Sequence, residues 1–310
     1  MTVTPQFREG TIPFRGYNVW YRIVGDDDRG KLPLLCLHGG PGVPHDYLEP
    51  LELIANTGRR IIFYDQLGCG NSDQPHNPSM WTVDLFLDEL RTVREALELT
   101  SIHLLGISWG GMLAMEYALT RPAGLFSLIL GSSPASVRAP VEEVARLIAD
   151  LPLDIQETIH KHERAGTTDD PAYQEAMQAF YRRHLCRADP WPDCLTRALA
   201  KLAENPEVFN TMFGPSEFCC TGTLKDWDIS NRLAEIRVPT LITSGRHDEI
   251  TPAVMETVHR RIIGSKWVIF ENSSHLAYIE ETDRYIAVLT EFLSEVERTA
   301  NTARVHSYGD

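Results

Sequence analysis

A serine stands where a predicted strand gives way to a predicted helix. Gly106-Ile-Ser108-Trp-Gly110 closes the apolar stretch 102–107 and leads into a helix-like stretch, 109–119. The two glycines permit the sharp turn that pushes a serine hydroxyl out of a sheet, an arrangement called a nucleophile elbow. The five-residue pattern alone arises by chance in roughly one in ten chains of this length, so the strand–turn–helix context carries the inference. We predict that Ser108 is a catalytic nucleophile.

A serine hydroxyl needs a base before it can attack an amide at neutral pH, and the base needs an acid to orient it. Where a serine occupies such an elbow, the acid and then the histidine follow it, each after a later strand. Asp248 follows the predicted strand 240–243, and His275 follows the predicted strand 266–270. His247 competes as the base, but it precedes the acid on the same short loop. The competing acids are Glu249, Asp226 and Asp228.

The negative oxygen that forms during acyl transfer needs two fixed N–H donors. The backbone N–H of Trp109, directly after the serine, is one candidate. Gly40 is the other, because His38-Gly-Gly-Pro-Gly42 follows the predicted strand 32–37 at the position that supplies the second donor. A phosphate-binding loop would need Lys and Ser or Thr after the glycines, and they are absent. We predict that these two N–H groups form an oxyanion hole.

Strand-like and helix-like stretches alternate along most of the chain, which predicts an α/β fold with a mostly parallel sheet flanked by helices. From 139 to 226 the pattern becomes helix-like and polar. We therefore predict a core of 1–138 and 227–310 with an inserted helical cap, 139–226, over the carboxyl ends of the strands. The predicted strands are 18–24, 32–37, 60–64, 102–107, 125–130, 240–243 and 266–270, and the predicted helices include 47–55, 83–97 and 282–296, followed by a frayed tail from Thr299.

Composition narrows the class of partner. The 310 residues carry a formal net charge of −14, which would repel nucleic acid and anionic membrane surfaces. His184, Cys186 and Cys194 lack the paired spacing of a zinc site, and the six cysteines do not form a disulfide framework. We expect no metal and no cofactor. Without a signal-like first segment or an apolar run near ~18 residues, the default expectation is a cytoplasmic location. The oligomeric state stays open, and a monomer is compatible with the sequence.

Several motifs together resemble the proline iminopeptidase family of α/β-hydrolases, and the resemblance runs over nearly the whole chain. The motifs are His38-Gly-Gly-Pro-Gly42, Asp65-Gln-Leu-Gly-Cys-Gly-Asn-Ser72, Gly106-Ile-Ser-Trp-Gly-Gly111, Gly214-Pro-Ser-Glu-Phe218 and Gly245-Arg-His-Asp-Glu249. Within the family the sequence is most similar to L-amino-acid (L-proline) amide hydrolases and tricorn-interacting aminopeptidases. The resemblance implies the α/β-hydrolase fold and a small substrate, an amino-acid amide or short peptide, with a free α-amino group beside the scissile amide.

By the same resemblance, Glu217 and Glu249 should hold the substrate ammonium group, one from the cap and one from the core. Paired carboxylates would offset the cost of moving a cation into a water-poor pocket. Apart from the resemblance, either residue would be interpreted as a solvated surface carboxylate. Arg246 and His247, directly before Asp248, depart from the family pattern, and their effect on the pocket stays open.

Other activities remain open at this stage. A general esterase, or a hydrolase that trims an aminoacyl group from a larger metabolite, would use the same three residues with another pocket. A binding protein without catalytic activity could also be built on this fold. Haloalkane dehalogenases and epoxide hydrolases are excluded because they carry aspartate at the elbow, where this chain has Ser108.

Overall fold

The computed structural model describes residues 6–26, 30–214 and 220–307. Its centre is an eight-stranded sheet with the order β1-β2-β4-β3-β5-β6-β7-β8. β1 and β2 pair antiparallel, and so do β2 and β4, whereas β4, β3, β5, β6, β7 and β8 run parallel. The strands are β1 Phe7–Phe14, β2 Tyr17–Val24, β3 Leu34–Leu37, β4 Ile61–Tyr64, β5 Ile102–Ile107, β6 Leu125–Gly131, β7 Thr240–Gly245 and β8 Lys266–Phe270.

Ten α-helices lie in the described residues. They are α1 Val83–Ala96, α2 Trp109–Leu119, α3 Arg138–Ala149, α4 Leu153–Ala165, α5 Pro171–His184, α6 Asp193–Glu204, α7 Glu207–Met212, α8 Pro252–Arg261, α9 Ala277–Glu280 and α10 Thr282–Ser307. Three 3-10 helices, His45–Thr57, Pro78–Met80 and Ser230–Glu235, join them. One hydrophobic cluster packs α1, α2 and α8 against one face of the sheet, and another packs the first 3-10 helix and α10 against the other face. The predicted α/β fold is confirmed.

The central strands are mostly apolar, with His103 of β5 as an exception, because helices cover both faces of the sheet. Every residue of β3, β4 and β5 is buried, as expected for parallel strands between two helical layers. β8 lies at the sheet edge, and four of its five residues are partly or fully exposed. Because these strands run parallel, the carboxyl ends of β3, β5, β7 and β8 all lie at the same end of the sheet. The loops that carry the predicted site residues leave from that end.

Three details differ from the sequence predictions. β1 was missed, since Gly10 and Pro13 interrupt its pattern; it forms because all eight of its residues pair with β2. The predicted helix 47–55 is a 3-10 helix, His45–Thr57, which contains Pro50, a residue without the N–H of a regular α-helical bond. The predicted frayed tail from Thr299 is wrong: α10 continues to Ser307, since no glycine or proline interrupts that stretch.

Between β6 and β7 the chain forms α3 to α7, and the described part of that segment contains no strand. α3, α4 and α5 have a small hydrophobic cluster of their own, which includes Val144, Ile159 and Phe180. α6 contacts the core through Arg197, whose guanidinium binds the Glu49 carboxylate at 2.6 Å. The division into a core and a cap bounded at 139 and 226 stays a prediction.

Candidate active site

Ser108 lies on the turn between β5 and α2 with a strained backbone. Its φ is 54° and its ψ is −122°, a region that non-glycine residues occupy at a cost of about 1–3 kcal/mol. The turn is tied to the neighbouring strand β6, because the Ser108 N–H donates to the Gly131 carbonyl at 2.9 Å. A Cβ on Gly106 would collide with the carbonyl of Gly110, so the strand and the helix can approach this closely only with glycine there. The sequence therefore folds locally to expose one hydroxyl.

His275 and Asp248 come together from the loops after β8 and β7. The His275 Nδ1 lies 2.8 Å from the Asp248 Oδ1, and an ionised carboxylate can only accept, so Nδ1 carries the proton. The same oxygen accepts the Ile250 N–H at 2.8 Å. Asp248 is 1% exposed and His275 is 5% exposed, so water competes little for this hydrogen bond. With the proton on Nδ1, Nε2 is the ring nitrogen with the lone pair that a base needs.

Two of the competing residues, His247 and Asp228, have other surroundings, whereas the competing acid Glu249 lies beside His275. His247 does not line the cavity that contains Ser108, and burial, together with Arg187 and Arg246, lowers its pKa. Asp228 accepts the Ser230 N–H at 2.8 Å and so holds the start of a 3-10 helix.

The loop after β3 carries the first predicted oxyanion donor. Gly40 lines the same cavity as Ser108 and His275 and has φ 107°, a backbone conformation that requires glycine. The preceding N–H, of Gly39, donates to the Tyr47 hydroxyl at 2.5 Å and fixes the loop. Within residues 6–26, 30–214 and 220–307, no hydrogen bond occupies the N–H of Gly40 or of Trp109. Both N–H groups are therefore available to an incoming oxygen.

Gln66 joins the two segments that carry these donors, and the sequence did not single it out. Its backbone N–H donates to the His38 Nε2 at 2.9 Å, and its side-chain amide donates to the His38 carbonyl at 3.1 Å. Its amide oxygen accepts the Trp109 indole N–H at 2.8 Å. Burial lowers the pKa of His38 to about 4, so its imidazole is neutral and can accept. The only signal for Gln66 was its place in the motif that begins at Asp65.

The structure describes only one of the two glutamates that the resemblance assigns to the substrate amine. Glu217 lies outside the described residues. Glu249 is 5% exposed, and its Oε1 lies 3.8 Å from the His275 Nδ1, on the same side of the ring as Asp248. Glu249 is not among the described residues that line the cavity around Ser108. Its role in amine binding stays a prediction.

A cavity of about 340 Å³ opens above Ser108 between α5 and α6. Its floor contains Ser108, Gly40 and His275, and its walls are mostly aliphatic and aromatic. The sequence did not predict these wall residues, although Leu195, Leu199 and Leu202 follow a helical spacing that could have indicated an apolar face. The wall residues are Val43, Tyr47, Tyr173, Gln174, Met177, Gln178, Tyr181, Leu185, Leu195, Leu199, Leu202, Ala203, Phe209 and Leu276.

Of the residues considered for zinc binding, His184 has another hydrogen-bond partner and Cys186 is buried. The His184 Nδ1 lies 2.8 Å from the His247 carbonyl, and burial raises the pKa of the Cys186 thiol to about 12. In the described ranges no three histidine, cysteine or acidic side chains group as a metal site would require. No helix in the same ranges has both the length and the apolar content needed to cross a bilayer.

Comparisons with known proteins identify the family to which the chain is similar. A model of the alpha/beta hydrolase fold family matches residues 33–282. A proline iminopeptidase from Lactobacillus helveticus is 43% identical over 291 residues, which cover 93% of this chain and 98% of the relative. The crystal structure of a proline iminopeptidase from Mycobacterium smegmatis is similar with a TM-score of 0.89 and 38% identity, covering 94% of this chain and 100% of that one. The crystal structure of VinJ is similar with a TM-score of 0.91 and 43% identity, covering 94% and 99%. The chain belongs to the proline iminopeptidase family of α/β-hydrolases.

Proposed function

We propose that this protein is a serine hydrolase that cleaves the amide bond after an N-terminal amino acid with a free amino group, preferably proline. It would act as a prolyl aminopeptidase or as an L-proline or L-amino-acid amide hydrolase. The observation that carries the proposal is that Ser108, on its strained turn, shares one cavity with His275, whose other ring nitrogen is bound to buried Asp248. Relatives named proline iminopeptidases, 38–44% identical over nearly the whole chain, support the substrate class.

In the acylation step, the Ser108 Oγ attacks the carbonyl carbon while the His275 Nε2 takes its proton. The Asp248 carboxylate stabilises the imidazolium that forms, through the 2.8 Å bond to Nδ1. The electron pair of the carbonyl moves onto its oxygen, which the N–H groups of Gly40 and Trp109 would bind. Losing one such donor typically reduces the rate by about 100- to 1,000-fold.

Collapse of the tetrahedral intermediate breaks the carbon–nitrogen bond, and His275 returns its proton to the leaving amine. A water molecule then attacks the acyl-enzyme, with His275 as base again, and releases the amino acid and the free Ser108 hydroxyl. Each proton that leaves an attacking oxygen is delivered to a leaving group, so the enzyme returns to its starting state. The proposed mechanism needs no metal and no cofactor.

Recognition of the free amine is assigned to Glu249 and Glu217. Glu249 supports this assignment because its carboxylate is buried beside the acid–base pair, where a bound ammonium would meet little competing water. The assignment of Glu217 rests on the family resemblance. A small substrate, an amino-acid amide or a short peptide, would then be oriented by its charged end. A cytoplasmic location is a further part of the proposal, which cell fractionation would test. Light scattering would determine the oligomeric state, which the sequence leaves open.

The primary test compares Ser108→Ala with Ser79→Ala, a serine on an exposed 3-10 turn away from the cavity. Turnover of prolinamide, Pro-Xaa dipeptides and alaninamide should disappear in Ser108→Ala and persist in Ser79→Ala. Labelling by a fluorophosphonate should follow the same pattern. Unchanged turnover in Ser108→Ala would refute the assignment. Absence of both labelling and turnover in the unmodified protein would support a non-catalytic binding protein.

An esterase, or a hydrolase that trims an aminoacyl group from a larger metabolite, is the second candidate. The observation that favours it is the apolar cavity of about 340 Å³, a volume in the range of pockets for drug-sized ligands. A prolyl group alone would leave much of it empty, whereas an apolar leaving group would gain about 25 cal/mol per Å² buried. Prolyl amides with leaving amines of increasing alkyl length test this. A steady rise of kcat/KM with length supports the second candidate, and a flat series supports the first.

Glu217→Gln and Glu249→Gln separate amine recognition from general hydrolysis. If these carboxylates hold the ammonium, each change should reduce kcat/KM for prolinamide much more than for a simple acetate ester. An equal loss on both substrates would contradict amine binding and would favour a general esterase. Because Glu249 is buried against His275, the ester activity also reports whether its replacement disturbs the base.

A further inference from the structure

The loops that carry Asp248 and His275 are both tied to the last residue of α5. We infer that His184 is a positioning residue for the acid–base pair, because its carbonyl and its imidazole together hold both loops. The inference rests on the proposed function for the identity of the catalytic residues. It concerns a residue that neither the motifs nor the comparisons point to.

The His184 carbonyl binds the two loops at once. It accepts the Glu249 N–H at 3.3 Å and the His275 N–H at 3.1 Å. A single peptide oxygen therefore sets the distance between the backbone next to the acid and the backbone of the base. The next carbonyl along, of Leu185, accepts the Leu276 N–H at 3.2 Å and extends this link.

The His184 imidazole closes the arrangement around Asp248. Its Nδ1 donates to the His247 carbonyl at 2.8 Å. His184 thus binds the backbone on both sides of Asp248: the His247 carbonyl before it and the Glu249 N–H after it. The ring is half-buried and packs on Phe180 with 4.7 Å between the ring centres. A short loop bound at both flanking peptide groups has little freedom to turn its carboxylate.

The same helix also lines the cavity. Tyr173, Met177 and Tyr181 of α5 lie in the wall above Ser108. The wall that receives substrate and the loops that hold the acid and the base are therefore one hydrogen-bonded unit. A misplacement of about 1 Å in a catalytic group can reduce the rate by about 100-fold. His184 would keep the His275–Asp248 bond in place when substrate enters.

The charges around His275 and His184 decide which group the pH dependence of activity reports. His275 faces the carboxylates of Asp248 and Glu249. Burial lowers the pKa of His184, and nearby Arg183 and His247 act in the same direction, so the ring is neutral at neutral pH. The hydrogen bond to the His247 carbonyl and the charge of Asp248 oppose this effect. The acid side of the activity profile then reports protonation of His275.

The test compares His184→Leu, which removes the donor, with His184→Asn, whose side-chain N–H can occupy the place of Nδ1. In His184→Leu we expect kcat per titrated active site to fall about 10- to 100-fold with KM nearly unchanged. The acid side of the pH profile should move to lower pH, because a loosened Asp248 stabilises the imidazolium less. His184→Asn should recover most of the lost kcat. His160→Leu, a half-exposed histidine of α4, is the control and should behave as the unmodified protein.

The rate of fluorophosphonate labelling of Ser108 is the second readout, because it needs no aminoacyl substrate. It should slow in His184→Leu by a factor similar to that in kcat, even if no prolyl substrate is turned over. Loss of active sites with normal kcat per site and an unchanged pH profile would show that His184 only supports folding, and would overturn the inference. Equal losses in the Leu and Asn variants, with the profile unmoved, would overturn it as well.

Discussion

Glu89 is a buried acid on α1 whose ionisation should control stability. It is 0% exposed, and burial raises its pKa to about 8. Its Oε1 accepts the Leu67 N–H at 2.7 Å, and among the described residues its Oε2 has no hydrogen-bond partner. A carboxyl group with an unmatched buried oxygen is more stable protonated than charged. Glu89 is therefore neutral in the folded protein at neutral pH.

The sign of the pH dependence follows from comparing the two states. In the unfolded chain Glu89 ionises near pH 4.3, so between that pH and about pH 8 folding requires the uptake of one proton. Its contribution to stability is fully present below pH 4.3 and is lost as the pH rises toward 8. The loss is about 1.4 kcal/mol per pH unit, or at most about 4 kcal/mol at pH 7.5.

Glu89→Gln removes this penalty and keeps the acceptor for the Leu67 N–H. The amide resembles the protonated acid in shape and in charge. We expect the variant to be more stable than the parent by about 2 to 4 kcal/mol at pH 7.5 and by less than about 0.5 kcal/mol at pH 4.5. Urea unfolding at several pH values measures the difference. Glu95→Gln, an exposed acid on the same helix, is the matched control and should show little pH dependence. A Glu89→Gln difference that stays constant with pH would refute the reasoning.

Three further predictions concern the elbow, the donor segments and the contact of α6 with the core. Ser108→Gly should abolish turnover and stabilise the fold by about 1 kcal/mol, because glycine adopts φ 54° without strain; a lower melting temperature would contradict this. Gln66→Leu should lower kcat about 10- to 100-fold with little change in KM, while the control Gln74→Leu, from the same loop, should keep the kcat of the parent. Equal kcat values in the two variants would show that the link from Gln66 to Trp109 does not position the oxyanion donors. Asp46→Asn should destabilise by about 1 to 2 kcal/mol, less at high salt, because buried Asp46 binds the partly exposed Lys201 at 2.9 Å; salt-independent urea midpoints equal to the parent's would contradict it.

Local patterns predicted much of the fold because they report local forces. The stretch 102–107 and the helix-like stretch 109–119 match β5 and α2, since both are mostly apolar segments, interrupted only by His103 and Glu116. β1 was missed because its eight residues include Gly10 and Pro13, and its stability comes from pairing with β2. The sequence prediction ended α10 too early, because no glycine or proline stops the helix before Ser307.

The sequence predicted the candidate nucleophile, acid and base, but not the residues that hold their loops in place. The elbow motif predicted Ser108, and chain order then predicted Asp248 and His275, because the loops after parallel strands meet at one end of the sheet. Gln66 and His184 were not identified as supports. Gln66 contacts Trp109, 43 residues further along the chain, and His184 binds a carbonyl 63 residues away. Such contacts depend on how separate elements pack, which no local pattern encodes.

The sequence by itself determined which chemical groups are present, their order, and the strands and helices from which they leave. Only the tertiary structure decided how deeply each group is buried and which of them touch. Burial sets the pKa values of His38 and Glu89, and packing of α5 against the β7 and β8 loops places His184 around Asp248. The physical reason is that the ionisation and the alignment of a group depend on its burial and on its hydrogen-bond partners. Both are determined by parts of the chain far away in sequence.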